Sequence, residues 1–212
     1  AQLSRGLGDV YKRQGISGKR EILNAFGADV KGYKGKDTHV DLFVGSELAP
    51  RFFGWGIPTG PNEGRIGIAT TLPHKPMPFF RDYFLKGTPS KLLGGAKIIN
   101  LISGLIPFGV ASPSYTDNII LTGDAAGMAK PTSGGGIYSG LISADAAFEV
   151  ASKALKSGDL SSVNLSEYQT LIVNRIGGEL TKGSYLRKAF LSLNDDQLAE
   201  IISILDLSLI HI

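Results

Sequence analysis

The residues best suited to chemistry lie near the middle of the chain, in Gly123-Asp-Ala-Ala-Gly127 and Gly134-Gly-Gly136. Glycines allow positive φ and let a ligand approach the backbone closely. A helix that begins after Gly136 would offer unpaired N–H groups and the positive end of its dipole. The carboxylate of Asp124 can accept hydrogen bonds from sugar or ribityl hydroxyls. This pattern is typical of a site for an anionic or electron-rich group, such as a phosphate or a flavin ring edge.

The spacing excludes two familiar phosphate-binding loops. It is not the GxGxxG dinucleotide fingerprint, and a Walker A loop would need GxxxxGK followed by Ser or Thr. Here Lys130 is followed by Pro131 instead. A structural alternative stays open: the segment is a tight turn between a strand and a helix, and Asp124 only caps that turn or helix.

Two elements must position this segment. The short apolar run Asn118–Thr122 predicts a buried strand that ends at the turn. A long helix is predicted from Ile137 to about Lys156. Small residues, which let a helix lie close to a sheet, form one stripe on it: Gly140, Ala144, Ala147 and Ala151.

The segment before the turn is predicted to be mostly β-structure. Residues 19–26 predict a short amphipathic helix that ends at Gly27. Alternation over 38–44 predicts a strand with Val40, Leu42 and Val44 on one face. Residues 52–57 and 65–70 predict a hairpin, joined by the turn-rich connector 58–64. A helix with proline in its first turn is predicted over 76–86, and one or two strands over 96–106.

The segment after the long helix is predicted to be helical. Helices are expected over 166–182, 184–193 and 194–205, with Ser166 and Asn194 as N-caps.

Three stretches carry a resemblance to a known family. The string from Asn118 to Tyr138 looks like the second flavin-binding motif of the p-hydroxybenzoate-hydroxylase-like flavoproteins, and it is most similar to the geranylgeranyl reductase family. Phe53-Gly-Trp-Gly-Ile-Pro58, with the glycine-bearing strand Gly64–Ala69 after it, resembles that family's aromatic-x-Trp-x-aromatic-Pro signature. Tyr185–Leu198 resembles its C-terminal helices. The resemblance covers about residues 15–206.

The resemblance implies a fold and a cofactor. The fold is α/β (α+β): part of a Rossmann-like FAD-binding domain, a mixed or antiparallel β-sheet substrate domain and C-terminal helices. Phe53, Trp55 and Pro58 would line the substrate cavity, although ordinary core packing stays open for Trp55. The residues implied to bind FAD are Gly123, Asp124, Gly127, Pro131, Gly134, Gly135 and Gly136.

The resemblance also implies an activity. Members of the family saturate isoprenoid double bonds, such as those of geranylgeranyl chains on archaeal-type ether lipids or on a chlorophyll precursor. Reduced FAD supplies a hydride and a proton completes the addition, so no catalytic triad is required. Tyr138 is a candidate proton donor, and the alternative is a tyrosine packed on its helix. The electron donor is external, NADPH or ferredoxin. A cytoplasmic protein able to contact a membrane surface is expected.

The resemblance implies a division of the chain into domain segments. Residues 15–30 are assigned to a remnant of the FAD domain, 31–110 to the substrate domain, 111–160 to the second half of the FAD domain and 161–206 to the helical region. We interpret 1–14 and 207–212 as non-native, which removes Gly6-Leu-Gly8 from consideration as a phosphate loop.

The pyrophosphate fingerprint expected before this segment does not occur in the sequence. Gly15-Ile-Ser-Gly18 could be the tail of the family's Asp-Gly motif, but it has no Asp, and Ile57 replaces the second aromatic residue of the Trp55 signature. The chain is therefore predicted to be a fragment. By itself it is expected to be inactive and to bind FAD weakly or not at all.

Composition excludes several classes of protein. Hydrophobic residues make up 42% and charged residues 19%, which argues against a disordered chain. No apolar run reaches the ~18 residues of a membrane span. A net charge of +3 without a dense Lys/Arg run argues against a nucleic-acid partner. The absence of cysteine excludes disulfides and thiolate chemistry, and three scattered histidines predict no metal site.

Three hypotheses follow. The first is a fragment of a flavin-dependent prenyl reductase. The second is another flavoenzyme of the same fold, such as an aromatic monooxygenase, which would consume oxygen. The third is a non-catalytic lipid- or partner-binding module, or a fragment without activity of its own.

Overall fold

The computed structural model describes residues 20–87 and 89–205. The strands are β1 (Glu21–Lys31), β2 (Asp41–Val44), β3 (Phe53–Gly60), β4 (Glu63–Thr71), β5 (Lys97–Phe108), β6 (Tyr115–Thr116) and β7 (Ile119–Ile120). The α-helices are α1 (Pro76–Phe79), α2 (Ser90–Leu93), α3 (Ile137–Ser157), α4 (Ser162–Leu165), α5 (Glu167–Ile172), α6 (Gly178–Leu191) and α7 (Asp195–Leu205). π-Helical turns cover Phe80–Phe84 and Val173–Gly177, and a 3₁₀ turn covers Gly123–Ala126.

The chain divides into two compact units. The described residues of the helical unit are 20–22 and 106–188, and those of the sheet unit are 23–87, 89–105 and 189–205. The division falls inside β1, β5 and α6. The predicted non-native segments 1–14 and 207–212, and the motif remnant 15–18, lie outside the described residues.

The sheet unit contains a five-stranded sheet in the order β2-β3-β4-β1-β5. The predicted hairpin is confirmed, because β3 and β4 pair antiparallel with Trp55 opposite Gly67. The predicted proline-initiated helix is α1 with the π-helical turn that follows it. The aromatic rings of Phe26, Phe80 and Phe84 pack together under the sheet, at centroid distances of 5.3 Å and 5.5 Å. A mixed α/β architecture with an antiparallel sheet and C-terminal helices is confirmed.

The prediction of a helix over residues 19–26 is wrong for its described part. β1 begins at Glu21 and pairs antiparallel with β4 along its length, from Leu23 opposite Thr71 to Lys31 opposite Glu63. This pairing buries Leu23 completely and Val30 almost completely. Burial and the β4 ladder outweigh the weak helical periodicity of the local sequence.

The strand predicted over 38–44 is present but shorter. The face with Val40 and Leu42 is exposed, at 55% and 52%. Phe43 makes the core contact instead, edge-on to Phe84 at 5.4 Å. Further along the chain, residues 96–106 form one strand, β5, and nine of its residues from Lys97 to Leu105 are exposed.

The helical unit is built around α3, which confirms the predicted long helix. Its buried stripe differs from the predicted stripe of small residues, because the side chains facing the core are Ser139, Ser143, Ala146, Val150 and Ala154. Ala146, Val150 and Ala154 form a hydrophobic core with the 3₁₀ turn, α5 and the helix after it. The predicted small stripe is offset by one position from this face.

Two finer predictions near this core are corrected. The strand predicted over 118–122 is reduced to β7, which is half-buried and pairs only with the two-residue strand β6 among the described residues. Ser166 makes no capping hydrogen bond to α5, and its hydroxyl donates to the Val163 carbonyl at 2.7 Å.

Asn194 is confirmed as an N-cap. Its Oδ1 accepts from the Gln197 N–H at 2.9 Å, and the Gln197 side chain accepts from the Asn194 N–H at 3.0 Å. This is a reciprocal capping box at the start of α7.

In the part of the chain that the structure describes, no helix is both long and apolar enough to cross a membrane.

Candidate functional site

The turn that carries Asp124 is fixed to the beginning of α3. The Gly123 N–H donates to the Ser143 hydroxyl oxygen at 3.0 Å, and that hydroxyl donates to the Gly140 carbonyl at 2.9 Å. From the other side, the guanidinium of Arg20 donates to the Ala125 carbonyl at 2.9 Å. The turn and the helix therefore keep a defined spacing.

The carboxylate of Asp124 lies beside Gly136 and has no partner among the residues that the structure describes. A Cβ atom on Gly136 would stand 2.6 Å from Asp124 Oδ1, so a side chain at 136 would displace the carboxylate. Within residues 20–87 and 89–205, no hydrogen bond or ion pair to this carboxylate occurs. Partial desolvation raises the pKa of Asp124 above its ordinary value. The carboxylate is thus held at the surface as an unused acceptor.

The capping alternative for Asp124 does not match this geometry. Gly136 is the N-cap residue of α3, and no side chain makes a capping hydrogen bond there. Thr122 precedes the 3₁₀ turn, which also has no side-chain cap. No acidic residue lies in the first turn of α3. Among the described residues the helix therefore begins without a side-chain cap, and the Asp124 carboxylate lies beside its N-cap residue, at the positive end of the helix dipole.

The loop between the turn and α3 is closed by its own backbone. The Gly134 N–H donates to the Lys130 carbonyl at 2.8 Å, and the Lys130 N–H donates to the Gly135 carbonyl at 2.9 Å. The ammonium of Lys130 pairs with Glu179 on α6 at 2.6 Å. Pro131 is buried. These contacts hold the loop in one shape ahead of the helix.

The structure brings the predicted cofactor residues together. Gly123, Gly127 and Gly134 have positive φ of 52°, 72° and 71°. Gly135 donates its N–H to the Ser133 hydroxyl at 3.3 Å.

Tyr138 lies in the first turn of α3 and is 50% exposed, with the Lys130 ammonium 4.9 Å from its ring centroid. Its role as a proton donor stays a prediction, but it is not a tyrosine packed into the core.

The predicted substrate residues are only partly together. Phe53 and Trp55 share one face of β3, with ring centroids 6.4 Å apart. The Trp55 indole covers Gly67, where a Cβ atom would lie 2.5 Å from its Cζ2. Strand alternation places Pro58 on the opposite face of β3. The packing of Trp55 on Gly67 documents a structural role, and its substrate role stays a prediction.

Several residues that build this site were not predicted from the sequence. Ser143 fixes the turn to α3, Lys130 and Glu179 fix the loop, and Arg20 reaches Ala125 across more than a hundred residues of chain. Ser143 lies on a helix face that the pattern of small residues did not single out. Glu179 and Arg20 are distant in sequence, so no local pattern could indicate their contacts.

The arrangement can bind a ligand that has hydroxyl groups beside an electron-rich edge. Asp124 can accept hydrogen bonds from hydroxyls, and the backbone N–H groups at the start of α3 can donate to a negatively charged part of a ligand. Because Gly136 has no side chain, the Asp124 carboxylate can lie directly beside the start of the helix. A ribityl chain joined to a flavin ring has this combination of groups, so the residues present fit FAD.

The raised pKa of Asp124 predicts a pH-dependent stability. A carboxyl whose pKa is higher in the folded chain than in the unfolded chain contributes stability at low pH and loses it as pH rises through the folded pKa. We expect Asp124→Asn to be more stable than wild type near pH 7, with the difference vanishing in acid. Urea unfolding across pH measures both chains.

Asp117 supplies a control of opposite sign. Hydrogen bonds from the Ser162 side chain and backbone hold its pKa below the ordinary value, and the Ser162 N–H donates to Asp117 Oδ1 at 2.5 Å. Its contribution is present at neutral pH and lost in acid. Asp117→Asn should therefore destabilise the chain near pH 7. Equal responses of the two variants would contradict the assigned environment of Asp124.

Solved structures of other proteins share the fold of this chain. A geranylgeranyl bacteriochlorophyll reductase-like protein from Thermoplasma acidophilum has a solved structure with a TM-score of 0.80 and 24% identity, covering 89% of this chain and 48% of that one. More distant structures include a flavin-dependent halogenase and a probable FAD-dependent monooxygenase, with TM-scores of 0.58 and 0.52. The architecture is therefore a fold that flavin-dependent enzymes use.

Two curated relatives are similar to this chain in sequence. An uncharacterized protein of Methanocaldococcus jannaschii is 33% identical over 86% of this chain and 46% of its own length. Digeranylgeranylglycerophospholipid reductase 2 of Methanococcoides burtonii is 31% identical over 74% of this chain and 39% of its own length. No family model matches the chain. The chain is similar to the C-terminal portion of geranylgeranyl reductase family proteins, and it spans less than half the length of these two relatives.

Proposed function

We propose that this chain is part of an FAD-dependent reductase that saturates isoprenoid double bonds of membrane lipids. One observation carries the proposal: the unpartnered Asp124 carboxylate beside Gly136, at the uncapped start of α3. Similarity to the geranylgeranyl reductase family supports the substrate class, since a relative's name specifies a digeranylgeranylglycerophospholipid.

The residues of this chain would hold one part of the cofactor. Asp124 accepts hydrogen bonds from ribityl hydroxyls, and the backbone N–H groups at the start of α3 stabilise negative charge on the pyrimidine edge. Pro131 and the closed loop 130–135 keep the glycines in place. When bound and reduced, FAD supplies the hydride for the double bond. Tyr138 is the candidate donor of the proton.

The substrate side of the proposal concerns the sheet unit. Phe53 and Trp55 offer aromatic surface on one face of β3, which suits an isoprenoid chain, and Pro58 would contribute from the other face of the strand. The electron donor is NADPH or ferredoxin. We place the protein in the cytoplasm at the membrane surface, where such a lipid is accessible.

Gly136→Ala tests the cofactor site. The added methyl group displaces the Asp124 carboxylate, because its position lies 2.6 Å from Oδ1. Since φ at Gly136 is −116°, the backbone tolerates alanine. We expect FAD affinity in the full-length protein to fall by about fivefold, a partial loss of a charged hydrogen bond. Flavin fluorescence titration measures the dissociation constant.

Gly140→Ala is the matched control. It lies one turn further along α3, and a Cβ atom there meets nothing within 4 Å. FAD affinity should be unchanged, and the helix should gain about 0.5–1 kcal/mol from replacing glycine. Equal flavin affinities of the two variants would remove the cofactor role of the Asp124–Gly136 pair. The reaction itself is tested in the full-length enzyme by hydrogen gain of the lipid without oxygen consumption.

A further inference from the structure

The helical unit contains a cavity that borders the predicted cofactor segment. Its volume is about 330 Å³, and it lies among the loop after β5, the segment after the 3₁₀ turn, and α5 and α6. This volume falls within the range of small-ligand sites. Gly127 and Pro131, two predicted cofactor residues, form part of its wall.

The wall of the cavity is apolar and carries no charge among the described residues. Its apolar side chains include Val110, Ile172 and Leu180. Of its polar side chains, Gln169 accepts from the Ser114 N–H through Oε1 at 2.9 Å, and Ser184 donates to the Leu180 carbonyl at 3.0 Å. Gln169 Oε1 and the Ser184 hydroxyl are therefore engaged within the protein, and the small polar side chains of Ser112 and Thr181 also line the space. The cavity therefore offers little to a polar or charged ligand.

One side of the cavity is formed by an irregular helical turn. Val173–Gly177 is π-helical, between α5 and α6, and both Val173 and Gly177 line the space. Single π-helical turns occur frequently at functional sites. A Cβ atom on Gly177 would meet Val173 Cγ1 at 3.6 Å, an ordinary contact. Gly177 thus leaves room that a larger side chain would fill.

We propose that this cavity binds an uncharged segment of an isoprenoid chain, with Gly177 leaving the room that the chain occupies. The inference rests on the proposed function and adds a second contact region for the substrate, in the helical unit. An apolar chain gains free energy by leaving water for such a wall.

Binding of farnesol, an uncharged linear isoprenoid alcohol, to the 212-residue chain tests this proposal by equilibrium dialysis. We expect saturable binding by wild type. Gly177→Phe fills the cavity and should lower the affinity by about tenfold, the loss of one buried apolar group. Gly178→Ala is the control, because a Cβ atom there meets nothing within 4 Å and Gly178 does not line the cavity. Its affinity should match wild type.

A second variant covers failure of Gly177→Phe to fold. Thr181 lines the cavity and is exposed, so Thr181→Phe should be tolerated and should also weaken farnesol binding. Absence of saturable binding by wild type, or unchanged affinity in a folded variant that fills the cavity, overturns the proposal. The proposal is also overturned if wild type binds riboflavin and not farnesol, and if the same variants abolish that riboflavin binding. The result with riboflavin would assign the cavity to the flavin, whereas the other two leave the cofactor site untouched, and Gly136→Ala tests that site separately through FAD affinity.

Discussion

Replacement of Asp124 by alanine is expected to weaken FAD binding by the full-length protein tenfold to a hundredfold. A hydrogen bond that involves a charged group contributes about 1.5–3 kcal/mol, which corresponds to this range of affinity. The unpartnered carboxylate beside Gly136 has no other hydrogen-bonding role in the described structure. Flavin titration of the purified apoprotein measures the loss.

Unfolding of the same variant separates binding from stability. If Asp124 only capped a helix, Asp124→Ala would cost about 0.5–2 kcal/mol of stability and leave flavin affinity unchanged. Because no cap is present, the unfolding free energy should hold or rise. Asp145→Ala serves as the control, since Asp145 lies on α3 and pairs with Arg175 at 2.6 Å on the surface. A lowered melting temperature beside an unchanged dissociation constant would assign Asp124 a structural role.

The sequence contains enough local information to predict the cofactor segment. Glycine spacing and the apolar pattern indicated the turn at Asp124 and the long helix α3, because both depend on neighbours in the chain. The hairpin of β3 and β4 was predictable for the same reason, from alternation and a turn-rich connector. These features are specified by residues close together in sequence.

The errors lie where distant contacts decide the structure. The hydrophobic periodicity of residues 20–26 is compatible with a helix. Pairing with β4, some forty residues away, nevertheless makes this segment part of a strand. The buried face of α3 is set by the 3₁₀ turn and α5, so Ser143 is buried while Ala144 is exposed. Tertiary packing of this kind overrides weak local preference. The fixed spacing between Asp124 and Gly136 is likewise visible only in three dimensions.

Gly127→Ala is expected to destabilise the chain by about 2–5 kcal/mol, the sum of two backbone costs. Gly127 has φ of 72°, a left-handed conformation that costs a residue with a Cβ roughly 1–2 kcal/mol. A Cβ atom there would also stand 2.6 Å from the Gly109 carbonyl oxygen. That oxygen belongs to the backbone and cannot rotate away, so the loop itself must shift, at a cost of about 1–3 kcal/mol.

Gly158→Ala gives the first cost, that of the left-handed conformation, without the second. Gly158 ends α3 with φ of 71°, nearly the same conformation, but a Cβ atom there meets nothing within 4 Å. It should lose only the roughly 1–2 kcal/mol of the left-handed conformation. Urea unfolding of both variants gives the difference, which measures the close approach of Gly127 to the chain after β5. Equal losses would mean that the turn accommodates a methyl group, and that Gly127 is required for its φ alone.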